Sequence, residues 1–485
     1  MRVLFAAAVW VSLLGAQTAP PDIHDVKAQA ELIRSLLNKD DYHEAHRVAL
    51  EAHKANPGDV TIRVLTGDTF FRMADLDNAY RFYLAGLALD PNNARAYLGA
   101  GRVDRATFRR KSMKNCFEKA WKLDPDDPEV MRAYASVVQK DDQRVALLEQ
   151  YLDSGASADA RQVRAVRNTI EFLGKAQAQK ETQLVSGYRA SQLKIERIMQ
   201  GPQRETGAAL RVTFNGTKTV VLMLDTGASG IVINEKTAEK AGIASLSSSE
   251  MWGIGDGGAQ KAFFGVADRV KTGEVEFANV PVRIAQRDFA VGSDGLIGAD
   301  VFDRFLIRLD LQHATIDLET LPGEDGTGRD WMTRDAVIPQ DRGNYVVARR
   351  SGSHLFIPAV LDGKRSTWFL VDTGSSRNFV DKTVMAEVGK IFRDDHFRIK
   401  GISGQVKDVA VADTVTVTFG NLRQKNPDLV ALDLLDLSRG AGMEIGGILG
   451  WDALSHLVLT LNYRDGLVDF TYEPPIRPLI RPPSR

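Results

Sequence analysis

The spacing of hydrophobic positions changes near residue 205 of the chain. Before this point, apolar and small residues such as Gly67, Phe70 and Tyr83 recur at helical spacing. After it, apolar and polar residues alternate, as they do in half-buried strands. The pattern predicts a multidomain chain in which an all-α region precedes an all-β region.

Three turns divide the helical region at a fixed period. They are Asn56-Pro57, Asp90-Pro91 and Asp124-Pro125, so the prolines stand 34 residues apart. This period resembles that of the tetratricopeptide repeat family, in which helix pairs stack into a solenoid. We expect repeats over residues 24–155 and a helical linker or cap over residues 156–204. The resemblance implies a face that binds a protein partner, and a purely structural stack is the alternative.

Two segments of the β region repeat each other. The first has a turn at Asn215-Gly216 and continues to Asp225-Thr226-Gly227, and the second has a turn at Asp362-Gly363 and continues to Asp372-Thr373-Gly374. The aspartate follows the first turn residue by 10 positions in both copies. Asn-Gly between alternating runs predicts a β-hairpin. Each copy is therefore predicted to place an Asp-Thr-Gly loop directly after a hairpin.

An apolar pair closed by a glycine follows each hairpin. The closing residues are Ile297-Gly298 and Leu449-Gly450, and the glycines lie 73 and 78 residues after their aspartates. Together with the paired Asp-Thr-Gly loops, this resembles the aspartic peptidases, in particular the retropepsin-like lobes of bacterial chains. The resemblance implies two all-β barrel lobes, at residues 205–322 and 335–473. It also implies that the apolar-glycine segments pack beside the active loops.

The same resemblance implies that Asp225 and Asp372 form the catalytic pair, since two adjacent carboxyl groups share one proton and supply both an acid and a base. Both halves of the site lie in one chain, so a monomer is sufficient. Six loop residues are expected to support the pair, with the threonines bonding across to the opposite loop and the glycines permitting its close approach: Thr226, Gly227, Ala228, Thr373, Gly374 and Ser375.

The two loops differ in one position. Ser375 can donate a hydrogen bond to the carboxylate beside it, whereas Ala228 at the matching position cannot. We therefore expect Asp372 to be ionised and Asp225 to hold the proton. A flap that excludes water is also required, and the glycine-rich segments that suit it are Gly253, Ile254 and Gly255 in the first lobe and Gly401 and Ile402 in the second.

Composition excludes several other functions. The net charge of −1 provides no basic field for nucleic acid, and the single cysteine, Cys116, excludes a cysteine-based metal cluster. We expect no metal and no cofactor. Residues 1–19 resemble a signal peptide, which implies export to the periplasm or beyond the cell, with no transmembrane span after its removal. Residues 474–485 are rich in proline and arginine and are predicted to be a disordered tail.

These features predict an aspartic endopeptidase that acts on peptides or proteins and carries repeats that recruit protein partners. The alternative is a non-catalytic scaffold in which the helical repeats bind proteins and the protease fold has lost its activity.

Overall fold

A computed structural model describes residues 22–155, 160–176, 181–187, 189–201, 204–289, 292–321, 335–341, 343–393 and 398–474. The segments predicted as signal peptide (1–19) and tail (474–485) lie outside these ranges, except for Pro474. The amino-terminal part of the described chain consists of helices, which we call the helical array: α1 (Val26–Asn38), α2 (Tyr42–Ala55), α3 (Val60–Arg72), α4 (Leu76–Leu89), α5 (Ala94–Ala106), α6 (Arg110–Leu123), α7 (Pro128–Ala135), α8 (Asp141–Asp153) and α9 (Ala160–Ala176).

The array repeats every 34 residues. The first helices of its four pairs begin at Val26, Val60, Ala94 and Pro128. Acidic side chains cap many of the helices, as Asp59 does by accepting a hydrogen bond from Ile62 N at 2.8 Å. Consecutive pairs stack on one another, and the array is a tetratricopeptide-like solenoid.

The first β-lobe is a barrel closed by its own strands. In sheet order the closed ring is β9-β6-β10-β5-β4-β8, with β8 pairing back onto β9. Its apolar interior belongs to a cluster of buried residues that extends through both lobes. The elements of this part are β1 (Gln183–Ser186), β2 (Ala190–Lys194), β3 (Glu196–Gln200), β4 (Arg204–Phe214), β5 (Lys218–Asp225), β6 (Ile231–Asn234), α10 (Glu235–Lys240), β7 (Ser247–Met251), β8 (Gln260–Thr272), β9 (Val275–Ala285), β10 (Gly295–Gly298), a 3₁₀ turn (Ala299–Phe302), β11 (Phe305–Asp310) and β12 (Thr315–Thr320).

The second lobe repeats this order with one interruption. Two short strands, β21 and β22, together take the place of the long strand β8, so the ring is broken between Ala412 and Val415. Its elements are β13 (Val346–Val347), β14 (Arg349–Ser351), β15 (His354–Leu361), β16 (Arg365–Val371), β17 (Phe379–Asp381), α11 (Lys382–Ala386), β18 (Ile391–Arg393), β19 (Ile399–Gly401), β20 (Gly404–Val406), β21 (Ala410–Ala412), β22 (Val415–Phe419), β23 (Leu422–Asn426), β24 (Leu429–Leu432), α12 (Leu435–Ala441), β25 (Gly447–Leu449), α13 (Trp451–Leu454), β26 (Leu457–Asn462) and β27 (Leu467–Tyr472).

A sheet of six strands joins the lobes. Its order is β13-β27-β26-β11-β12-β2, and β11 of the first lobe pairs with β26 of the second, with Ile307 opposite Leu461. Inward side chains such as Phe305 and Leu459 are fully buried. This sheet fixes the lobes relative to each other, and thereby fixes the distance between their active loops.

The prediction of a helical linker over residues 156–204 is wrong for its second half. Helix α9 ends at Ala176, and residues 183–200 form β1, β2 and β3. These strands pair with β9, β12 and β4, respectively. The sequence of these strands is polar and alternates only weakly, so it does not favour a strand by itself. The strands form because residues far along the chain supply sheet edges with which they can pair. The first lobe therefore begins before residue 205.

The helical array packs against the second lobe. Trp368 Nε1 donates to Ala74 O at 3.1 Å, and Glu444 N donates to Arg72 O at 2.8 Å. The turn between α5 and α6 inserts Phe108, which is only 2% exposed, into the cluster of buried residues shared by the lobes. Within the described residues, no helix has the length and apolarity needed to cross a bilayer.

Candidate active site

The two aspartates stand at equivalent strand ends. Asp225 is the last residue of β5, and Asp372 directly follows β16. Each strand has a parallel neighbour, β10 and β25 respectively, which holds it from one side. The two carboxyl groups are hydrogen-bonded to each other. The structure thus brings together the pair predicted from the sequence repeat.

The loop threonines link the two lobes at this point. Thr226 Oγ1 donates to Val371 O at 2.7 Å and accepts from Thr373 N at 3.0 Å. Thr373 Oγ1 donates to Leu224 O at 2.8 Å and accepts from Thr226 N at 3.1 Å. Both threonines are buried, so these four bonds are protected from water and hold the loops in one relative position.

The glycines allow this approach for a steric reason. A Cβ on Gly227 would lie 2.6 Å from Asp372 Cγ, and one on Gly374 would lie 2.3 Å from Asp225 Cγ. Neither separation is possible between non-bonded carbons, so any side chain here would force the loops apart. The glycine of each loop therefore sets how closely the opposite aspartate can approach.

The expected role of Ser375 is corrected by the structure. Its hydroxyl donates to Arg377 O at 2.8 Å rather than to the Asp372 carboxylate. Backbone groups reach the carboxylate instead, because Gly374 N and Ser375 N donate to Asp372 Oδ1 at 2.9 and 3.0 Å. Because the loop backbone supplies the hydrogen-bond donors that the carboxylate needs, no side-chain donor is required. The hydroxyl of Ser375 instead stabilises its own loop.

The two carboxyl groups are electrostatically coupled. Burial raises the pKa of both, and the charge of Asp372 raises the pKa of Asp225 further, well above its usual range. Backbone N–H groups lower the pKa of both carboxyl groups, those of Gly227 and Ala228 at Asp225 and those of Gly374 and Ser375 at Asp372. Two carboxyl groups with raised pKa in hydrogen-bond contact share one proton, so the pair offers an acid and a base together.

The apolar-glycine segments lie beside the loops. Gly298 pairs with Asp225 and Leu449 pairs with Val371 in the parallel registers, with Ile297 and Gly450 adjacent to them in the chain. Gly450 N donates to Asn378 Oδ1 at 2.9 Å.

Asp300, just beyond the first apolar-glycine segment, supports the loop of the first lobe. Its carboxylate accepts from Gly230 N at 2.9 Å, and burial raises its pKa to about 6. Asp300 and Asn378 were not singled out from the sequence. A signal for Asp300 exists, because Asp452 occupies the matching position of the second copy.

The two flap candidates meet each other tip to tip. The loop between β7 and β8 carries Gly253, Ile254 and Gly255, and the hairpin of β19 and β20 carries Gly401 and Ile402 at its turn. Gly253 N donates to Ser403 Oγ at 3.2 Å, and Ser403 N donates to Ile254 O at 3.0 Å.

The flaps also cross between the lobes. Ile402 packs against a buried cluster of the first lobe, and Ile254 packs against a buried cluster of the second lobe. Arg287 of the first lobe donates to Ile402 O. Ser403, which is only 1% exposed, joins both tips. Its role was not predicted, because a sequence does not show which loop tips will meet.

One group of described residues offers three possible metal ligands, namely Asp310, His313 and Glu473. His313 Nδ1 lies 2.9 Å from Asp310 Oδ2, and Arg308 lies 3.5 Å from Asp310 and 3.7 Å from Glu473. A guanidinium already balances these carboxylates, and the group is an ion-pair network of the interlobe sheet. It takes no part in the dyad, and no cofactor is assigned to it.

Two β-lobes that each present an Asp-Thr-Gly loop to the other define the aspartic-peptidase class of fold. The profile of the aspartyl protease family matches residues 210–301 and 357–453, one stretch in each lobe. Each lobe therefore contains a stretch that is similar to the aspartyl protease family.

Solved structures similar to this chain include an aspartic proteinase from Irpex lacteus, at 12% identity and a TM-score of 0.37, with 58% of this chain and 97% of that chain covered. Another is the MamA protein, at 15% identity and a TM-score of 0.24, with 31% and 82% covered. No curated protein matches the chain.

Proposed function

We propose that the protein is an aspartic endopeptidase. The observation that supports this most is the hydrogen-bonded pair of Asp225 and Asp372, held by four buried threonine bonds. A degenerate scaffold has no need to keep two carboxyl groups in contact, because each burial of a carboxyl group costs stability. The pair, the glycines that admit it and the threonines that fix it are all present.

The proposed reaction uses one water molecule. The Asp372 carboxylate accepts a proton from the water, whose oxygen attacks the peptide carbonyl carbon. The Asp225 carboxyl donates its proton to the carbonyl oxygen, giving a neutral gem-diol intermediate. Proton transfer to the amide nitrogen then breaks the C–N bond and leaves a carboxyl and an amine. Closed flaps exclude bulk water and strengthen these hydrogen bonds.

The test compares the chain with Asp225→Asn and Asp372→Asn on a diverse pool of peptides. We expect cleavage by the unaltered chain and a loss of at least about 10³-fold in each variant, since neither amide can exchange the shared proton. Thr219→Val, an exposed change on β5, is the control and should retain activity. Equal and negligible cleavage by all four proteins at every pH from 3 to 8 would favour the non-catalytic scaffold.

We also propose that the array recruits the protein substrate or a partner. It exposes cationic side chains on the first helices of its pairs, among them Arg105 on α5 and Arg132 on α7. If the array recruits, the double change to alanine slows cleavage of a folded protein substrate but not of short peptides. Export remains part of the proposal, and amino-terminal sequencing of the chain recovered outside the cytoplasm tests it.

A further inference from the structure

A groove of about 490 Å³ lies at the junction of the helical array and the lobes, and we call it the junction groove. The array contributes residues of α4, of α5 and of the turn after α5, and the rest of the lining comes from the second lobe and the segment before it. None of the described residues that line it belongs to the active loops or the flaps. Ligand sites commonly have volumes of roughly 300–1,000 Å³, so the groove is large enough to be one.

The charged side chains of the junction groove are unequal in number. Three arginines line it, Arg81, Arg109 and Arg349, and Asp77 is the one carboxylate among its described lining residues. Arg109 is already balanced, because its Nε lies 2.7 Å from Oδ1 of the fully buried Asp104. Two guanidinium groups therefore share a single carboxylate, which leaves one positive charge for a ligand to balance.

These two guanidinium groups lack close partners among the described residues. The side chain of Arg349 is only 15% exposed, yet its one ion pair there, with Asp77 Oδ1, has a separation of 4.0 Å, and Asp77 is 87% exposed. The Nε of Arg349 is buried without a hydrogen-bond partner, and its guanidinium lies 5.1 Å from the ring centre of Trp368. Arg81 is exposed and makes no ion pair with the part of the chain that is described. Since a buried cation without a close partner costs stability, a carboxylate bound by both arginines would be favourable.

The rest of the junction groove suits an apolar peptide chain. Val103, Ile338 and Val347 line it, and Ile338 is 45% exposed although it is a large apolar residue. Val347 belongs to β13, the outermost strand of the sheet that joins the lobes, whose outer edge has no strand partner among the described residues. Unpaired strand edges bind extended peptides through their backbone groups. One missing negative charge beside apolar contacts favours the carboxyl terminus of a peptide over a phosphate group, which carries more charge and has no apolar part.

We propose that the junction groove binds the carboxyl-terminal end of a peptide or protein whose last residues are apolar, with Arg81 and Arg349 holding the terminal carboxylate. This gives the recruitment proposed above a ligand class and a surface apart from Arg105 and Arg132. The inference concerns binding only, so it applies whether or not the chain cleaves peptides.

The binding test uses the full chain with Asp225→Asn, so that a peptidase would not destroy the probe. The probe is a fluorescein-labelled hexapeptide that ends in Val-Leu with a free carboxylate, and the comparison is the same peptide with a terminal carboxamide. Fluorescence anisotropy at pH 7 measures both values of Kd. We expect the acid to bind at least about 10-fold more tightly than the amide, because the amide loses the charge-assisted hydrogen bonds to the arginines. Equal binding of the two peptides, or binding of neither, overturns the proposal.

Variants of the same chain locate the binding. Arg81→Gln and Arg349→Gln should each weaken binding of the acid by about 10-fold and leave that of the amide unchanged. Ile338→Glu should weaken binding of both peptides, and Arg34→Gln, at an exposed arginine of α1, should change neither. Circular dichroism checks that Arg349→Gln folds without the stack on Trp368, and the exposed Arg81 gives a test that does not depend on this. Unchanged binding of the acid by Arg81→Gln would place the peptide elsewhere, for example between the active loops, and would overturn the assignment without bearing on catalysis.

Discussion

Asp300 is a half-buried carboxyl group that supports the active loop without touching the reacting atoms. It accepts from Gly230 N through both oxygens, at 2.9 and 3.1 Å. Burial raises its pKa from 3.8 to about 6, more than the Gly230 bond lowers it. The folded protein therefore favours the protonated form of Asp300, whereas the unfolded chain releases this proton near pH 4. The contribution of Asp300 to stability is present below pH 4 and is lost as the pH rises through 6.

We accordingly predict a flatter stability profile for Asp300→Asn. The amide oxygen still accepts from Gly230 N, but it cannot ionise. Between pH 4 and 6 the free energy of unfolding of the unaltered chain should fall relative to that of the variant by about 3 kcal/mol at most. Urea unfolding at pH 4, 5 and 6 measures this difference. Asp268→Asn, an exposed change on β8, should keep the original slope, and parallel profiles for Asp300→Asn and the unaltered chain would contradict the prediction.

At the scale of elements, helix α9 connects the helical array to the flap of the first lobe. Glu171 Oε2 accepts from Ser248 N at 3.0 Å, and Arg164 Nε lies 2.7 Å from Glu250 Oε1, so both ends of β7 are held. Arg161 stacks over Trp252 and pairs with Asp436 of the second lobe at 2.8 Å. The helix therefore braces one flap from outside and links it to the opposite lobe.

We predict that Arg161→Ala loosens the flaps without unfolding the chain. Exposed ion pairs contribute about 0–1 kcal/mol, so the free energy of unfolding should change by less than about 1 kcal/mol. The amides of residues 252–258 should nevertheless exchange with deuterium several-fold faster, because the contacts of Arg161 no longer oppose opening of the flap. Arg167→Ala is the matched control, since Arg167 on the same helix is exposed and makes no ion pair among the described residues. Equal exchange in the two variants would show that α9 does not restrain the flap.

The elements that were predictable are those with a local signal. Proline turns mark the helix pairs, and a turn 10 residues before each aspartate marks the duplicated hairpins. The strands at residues 183–200 lack such a signal, since Gln183 pairs with Ala278 far along the chain. The contact of Ser403 with the other flap is equally non-local.

At the scale of the whole molecule, the helical array and the two lobes share one buried core. Phe108 adopts a left-handed backbone conformation (φ 60°), which directs its ring into the lobes. The ring lies so close to Gly466 that a Cβ there would come within 2.3 Å of it. The backbone carbonyl of Phe108 accepts a hydrogen bond from Ala336 N at 3.0 Å. Ala336 lies in the segment that connects the two lobes. On the other side of the interface, His43 Nε2 lies 3.0 Å from Glu444 Oε1. A repeat array that only tethered substrate would not need to bury an aromatic ring in the core of the lobes.

We therefore predict that array and lobes unfold together and that Phe108→Ala separates them. Removing a fully buried phenylalanine costs about 3–5 kcal/mol, here at the junction of the two parts. In the unaltered chain, loss of helical circular dichroism and the change in tryptophan fluorescence should coincide in denaturant, since Trp368 reports the interface and the array supplies most of the helix.

In Phe108→Ala the lobes should unfold at lower denaturant than the array, because the array keeps its own stacked core while the lobes lose part of theirs. Leu84→Ala, at a side chain 45% exposed on α4, is the control and should leave the transitions coincident. Two separate transitions in the unaltered chain would show instead that the array is an independent module, and recruitment would then be its main contribution.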